Sequence, residues 1–161
     1  MEETGVQALH KVLDQQHHAS GSLLAALEQE FAALSGMNLP ALEQAARAKD
    51  QLTRELESLH QRQMTLLKHL NVSSRPGEIP DFAAAFPGSA GKNLNHIWHQ
   101  TVARLQKCQD QNRVNGAVLA QSLRRTQSAL AVLTQGETET GAYGPAGTAS
   151  APRLSRSLGS T

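Results

Sequence analysis

Leucine and alanine recur three and four residues apart along most of this chain, and that spacing limits its possible folds more than any other feature. Val6, Leu9, Leu13, Leu24, Leu27, Phe31 and Leu34 follow it in the first segment. Leu42, Ala45, Leu52, Leu56, Leu59, Leu66 and Leu70 follow it in the second. A third stripe runs through Leu94, Ile97 or Trp98, Val102, Leu105, Cys108, Asn112, Asn115, Leu119, Leu123, Leu130 and Leu133. Such steps stack side chains on one face of a helix with 3.6 residues per turn. Leu, Ala, Gln and Glu form helices well, whereas aromatic residues make up only 3% of the chain and β-branched residues are scarce. No stretch alternates as a strand would, and no repeat period is visible. The expected fold is all-α: an elongated antiparallel bundle of three long helices, a short helical plug and a flexible C-terminal tail.

Punctuation residues set the boundaries. Ser35-Gly36 closes the first helix, over about 4–35, with Gly36 suited to a left-handed position after the last turn. Pro40 fits the first turn of a second helix over about 39–71, capped by Asn38 or Leu39. "NVSSRPGE" breaks the pattern. A short helix over about 79–86 brings Phe82 and Phe86 to one side as a plug over one end of the bundle. The last helix spans about 92–134 and stops at Gly136. Residues 137–161, rich in Gly, Ala, Ser, Thr and Pro, form a flexible tail, so that the bundle occupies 1–136. Within the first helix, Gln16, Ala19, Ser20 and Gly21 interrupt the stripe, which lets a neighbour approach closely or marks a bend.

Chemistry is sparse. The formal net charge is +1 with no clustered basic face, so neither nucleic acid nor an anionic membrane is an expected partner. No run is apolar enough to insert in a membrane. The acidic N-terminus lacks the apolar core of a signal peptide, which makes the cytoplasm the expected location. The lone Cys108 excludes an internal disulfide and falls on the inward stripe as an inert thiol. Seven histidines lack the acidic and thiol partners of a zinc site, so no metal and no cofactor is expected. No nucleophile elbow, phosphate loop or dinucleotide fingerprint is present, and the chain is not expected to be an enzyme. Arg124-Arg125 suits the negative end of a helix dipole or an acidic partner.

Two features break local rules. Asn112, Asn115 and Gly116 lie in mid-helix, where polar groups on a seam need hydrogen-bond partners and glycine costs about 1 kcal/mol against alanine. They serve packing, opposite Ser20 and Gly21, or binding. At about 1.5 Å per residue the first two helices are each roughly 48 Å long and the third roughly 60 Å or more. The third helix then either outruns its partners, exposing Leu123, Ala129, Leu130 and Leu133 as an interaction patch, or a bend or register shift buries them.

The helix layout, "CQDQNRVNGAVL" in the last helix, and a tail with "YGPAG" before "SRSLG" together resemble the FlgN family of flagellar type III export chaperones over nearly the whole chain. The resemblance implies a cytoplasmic chaperone for the C-terminal helical segment of the hook–filament junction proteins FlgK and FlgL, which prevents their premature association. It also implies delivery to the export gate protein FlhA. Client binding would then involve Leu119, Leu123, Ala129, Leu130 and Leu133, and gate docking would involve Tyr143, Gly144 and Pro145. A lone tyrosine in a glycine-rich tail is poor core material but a good anchor, because it covers a large area with few rotors to freeze. The alternative is a self-associating coiled-coil structural or adaptor protein, since the same stripes could pair with a second copy as a homodimer.

Overall fold

The structure, a computed structural model, describes residues 2–73, 75, 78–86 and 88–140, with helical side chains described from Thr4 to Thr134. The described residues form four helices and no strand: α1 (Glu2–Ser35), α2 (Leu39–His69), α3 (Glu78–Ala84) and α4 (Ser89–Thr140). The protein is all-α. It divides into two compact units, Met1–Gln121 and Ser122–Thr161.

Two helices end in the same way. Met37 (φ 51°) and Asn71 (φ 54°) take left-handed conformations. The N–H groups of Met37 and Asn38 bond the carbonyls of Leu34 and Ala33, and those of Asn71 and Val72 bond Lys68 and Leu67. These paired bonds satisfy carbonyls that the last turn would leave open. The left-handed residue after α1 is therefore Met37, not Gly36. Gly36 continues the helix by bonding the Ala32 carbonyl at 2.9 Å. Asn38 caps α2, its side chain accepting from Ala41 N–H, with Pro40 in the first turn. Gly136 does not stop α4, which continues to Thr140. One glycine costs only about 1 kcal/mol against alanine, and the next residues include Glu137 and Glu139, good helix formers.

The apolar core of the first unit gathers Val6, Leu9 and Leu13 of α1, Leu67 of α2, Ile79 and Ala83 of α3, and Leu94 and Ile97 of α4. The short α3 is held there by Ile79 and Ala83, each 1% exposed. Phe82 and Phe86 meet edge to face at 4.9 Å. A Cβ on Gly91 would collide with the carbonyl oxygens of Ala83 and Phe86, so only glycine lets α4 start against α3.

Beyond this core the helices are joined by polar side chains, which reveal their directions. Gln16 bonds Gln63 and Lys49 bonds Glu30, so the separation along the chain falls from 47 to 19 residues as α1 advances: α1 and α2 are antiparallel. Thr101 and Arg104 reach the carbonyls of Leu13 and His17, and Cys108 and Asn115 reach those of Ser20 and Leu27. These partners are always 87 or 88 residues apart, so α4 runs parallel to α1. Ala19, Ser20, Ala26 and Ala33 are buried, and their small size brings the helices close enough for side chains of one to reach the backbone of the other. A Cβ on Gly21 would lie 3.0 Å from the Arg104 guanidinium. The small-residue break in the first stripe is thus a site of close approach.

Phe31 departs from the expected inward stripe and is 38% exposed. Its neighbour Glu30, 8% exposed, takes the inward position because it meets Lys49 at 2.5 Å and Asn115 Nδ2 at 2.8 Å. Asn115 therefore ties three helices together. Replacing it with alanine leaves Glu30 and the Leu27 carbonyl short of a donor. Asn115→Ala is expected to lower unfolding stability by about 1.5–3 kcal/mol, as measured by urea denaturation, with helical content unchanged.

Candidate functional site

The three members of the Asn-x-x-Asn-Gly motif separate in the structure. Asn115 is 3% exposed and accepts from Gln111 Nε2 at 3.0 Å while donating to Leu27 and Glu30. Its role is packing, and it faces Leu27 and Glu30; Ser20 is met by Cys108, and Gly21 lies against Arg104. Asn112 and Gly116 are exposed, and nothing lies within 4 Å of a Cβ built on Gly116. Packing among the described residues does not require that glycine.

Between α2 and α4 the first unit opens into a cleft made of two adjoining cavities, of about 410 and 530 Å³, that share Leu105. Leu56, Met64 and Leu67 line the α2 wall, and Trp98, Val102 and Leu105 line the α4 wall. The buried Gln16–Gln63 amide pair lies at the bottom, bonded at 3.0 Å. The second cavity continues past Cys108, Gln109 and Asn112 towards Lys49 and Asp50. Val102 and Leu105, assigned to the inward stripe from sequence, are 44% and 38% exposed, because they face this cleft. Sequence reasoning missed the cleft. The stripes on α2 and α4 reveal apolar faces, but not that the two helices stand apart.

The leucines of the last helix are open to water. Leu119 is 54% exposed, Leu123 57%, Leu130 56% and Leu133 67%, and Ala129 is exposed beside them. Arg124 and Arg125 lie on the same exposed stretch. Tyr143, Gly144 and Pro145 lie outside the described residues.

Among the described residues no three His, Cys, Asp or Glu side chains come together to hold a metal ion. Burial pushes the Cys108 thiol up, which keeps it protonated and unreactive. Burial and the Arg104 guanidinium push the His17 imidazole down from the usual 6.5, and its buried Nδ1 has no hydrogen-bond partner among the described residues. A depressed folded-state value means that the unfolded chain takes up the proton more readily, so the stability linked to His17 is complete above pH 6.5 and is lost as pH falls below it. An NMR titration is expected to place the His17 midpoint below that of a free imidazole. The acid-side loss of thermal stability should shrink in a His17→Gln variant.

No described helix is long and apolar enough to cross a membrane. No curated protein matches the chain. Among solved structures, the chain is similar to the crystal structure, at 1.48 Å resolution, of a chain described as a flagella synthesis protein FlgN from Pseudomonas aeruginosa. The two share 26% identity and a TM-score of 0.62 over 76% of this chain and 93% of that one. The FlgN protein family matches residues 1–151, which include both polar ties between α1 and α2, the α1–α4 ladder and the exposed leucines. This chain belongs to the FlgN family.

Proposed function

We propose that this protein is a flagellar export chaperone, without catalysis, that works in the cytoplasm. It holds the C-terminal helical segments of the hook–filament junction proteins FlgK and FlgL and hands them to the export gate protein FlhA. Family membership supports the flagellar assignment. The single observation that carries client binding is the row of water-exposed leucines, Leu119, Leu123, Leu130 and Leu133, on a helix. Leucines at helical spacing with no cover of their own are what an amphipathic client helix needs. Burying one such side chain contributes roughly 1.5–3 kcal/mol before the costs of association. Asn112 and Gly116, exposed on the same helix, are further candidate contacts.

Such a carrier needs no bond-breaking chemistry. A bound client is protected by mass action and is released when a competing site binds it better. Gate docking is assigned to the tail, through Tyr143 as an aromatic anchor presented by Gly144 and Pro145.

Calorimetric titration with the C-terminal helical segment of FlgK from the same cell tests client binding. The expected result is one-to-one saturation with a negative heat-capacity change. Leu130→Asp with Leu133→Asp should weaken this binding by about tenfold or more, a loss of roughly 1.4 kcal/mol, without loss of helicity by circular dichroism. Unchanged affinity would remove the stripe from the client site. A chain ending at Thr140 should keep client binding and lose affinity for the cytoplasmic platform of FlhA; equal affinity of the two forms would overturn the role of the tail.

A further inference from the structure

We propose that the α2–α4 cleft of the first unit seats one amphipathic helix of a partner protein, about four turns long, with an asparagine or glutamine on its apolar face and a lysine or arginine on its flank. The inference rests on the export-chaperone reading in one respect, that the helix comes from the client. It uses none of the leucines from Leu119 to Leu133.

The cleft runs lengthwise between two antiparallel helices. At about 1.5 Å per residue, its α4 wall from Trp98 to Asn112 and its α2 wall from Met64 back to Lys49 each extend for roughly 21–23 Å. A compact small molecule would fill one of the two cavities, of about 410 and 530 Å³, and leave the other open. A helix fills both. α1, α2 and α4 are three members of a four-helix arrangement, and the incoming helix takes the fourth corner. At one end it meets Leu56, Met64, Trp98, Val102 and Leu105. At the other, Leu23 and Leu27 are joined by Thr53, Gln109 and Asn112.

The amide pair in the cleft points to what that helix carries. Gln16 and Gln63 are each 5% exposed and line the first cavity. Gln16 Nε2 donates to Gln63 Oε1 at 3.0 Å. That leaves Gln63 Nε2 as an unused donor and Gln16 Oε1 as an unused acceptor among the described residues. Neither atom is sealed in the interior, so both open on the cavity. A primary amide offers an acceptor and a donor side by side, which matches this pair. A wholly apolar face would strip both atoms of water and return no hydrogen bond. The same two atoms therefore discriminate against helices that lack the amide.

The rim selects the charge. Lys49 is engaged by Glu30, and Asp50 by Arg54. Glu57 is exposed beside the apolar end of the cleft and has no ion partner among the described residues. A cationic side chain on the flank of the incoming helix supplies one.

Trp98 lines the cleft and is the one tryptophan of the chain, so its fluorescence reports occupancy. The full chain is titrated with the C-terminal helical segment of FlgK, any tryptophan of the segment being replaced by phenylalanine. Trp98 emission should move to shorter wavelength and saturate. Leu105→Asp, at an exposed position, should weaken binding by about tenfold or more and abolish the shift, with circular dichroism unchanged. Gln16→Leu with Gln63→Leu, which removes the open amide atoms at similar volume, should weaken binding by about fivefold; equal affinity would overturn the amide contact. Binding that leaves Trp98 emission unmoved and is equal in Leu105→Asp would overturn the cleft as the seat and leave the export reading standing. No binding by the wild-type chain would overturn both. A wild-type dimer that Leu105→Asp dissociates in sedimentation would put a second copy in the cleft and overturn the assignment to the client.

Discussion

The α1–α4 ladder is the contact on which the rest of this structure depends. Arg104, Cys108 and Asn115 of α4 bond backbone carbonyls of α1 that lie 87 or 88 residues earlier in the chain, and the Thr101 hydroxyl, which donates to Ile97 at 2.7 Å, lies 3.4 Å from a fourth, that of Leu13. A carbonyl inside a helix already accepts one bond, and its second lone pair is within reach only when the neighbouring backbone comes close. Ala19, Ser20, Gly21 and Ala26 allow that approach. Asn115 extends the ladder to a third helix through Glu30 and Lys49, with the carboxylate held between an amide and an ammonium group. Removing either partner would leave a buried charge poorly paired, and this dependence makes the arrangement specific.

The division of labour along the bundle follows from this contact. At the end that holds α3, leucines and isoleucines form an ordinary dry core. Further along, apolar volume gives way to hydrogen bonds, and α2 and α4 are held by way of α1 across an open cleft. A bundle built this way retains an apolar wall without a partner. Its last helix also carries leucines that no described residue covers. Both features cost solubility in an isolated protein, and both are compatible with the client binding proposed above.

Much of this was legible from spacing. Leucine at every third or fourth position identified the helices, because a helix must bury one face and no other periodicity fits. Asn38 with Pro40 marked a helix start. The turn after α1 was less readable: Gly36 had the right chemistry for a left-handed residue, but the hydrogen bonds of the last turn carried the helix one residue further and placed Met37 there. Gly136 misled in the same way, since one unfavourable residue cannot end a helix whose neighbours favour it.

What the sequence determined by itself was therefore local: the all-helical class, the existence of each stripe and the absence of catalytic motifs. Those follow from periodicity and side-chain chemistry within a few turns. Only the tertiary structure decided which stripe residues are covered. Asn112 and Asn115 are three residues apart on one helix, yet one faces the cleft and the other the Glu30 carboxylate. Glu30 displaces Phe31 from the interior. The small residues of α1 prove to be a place of contact rather than a bend. In each case the outcome depends on the distance between helices, set by side chains nearly ninety residues away in the chain, and no periodicity within one helix encodes it.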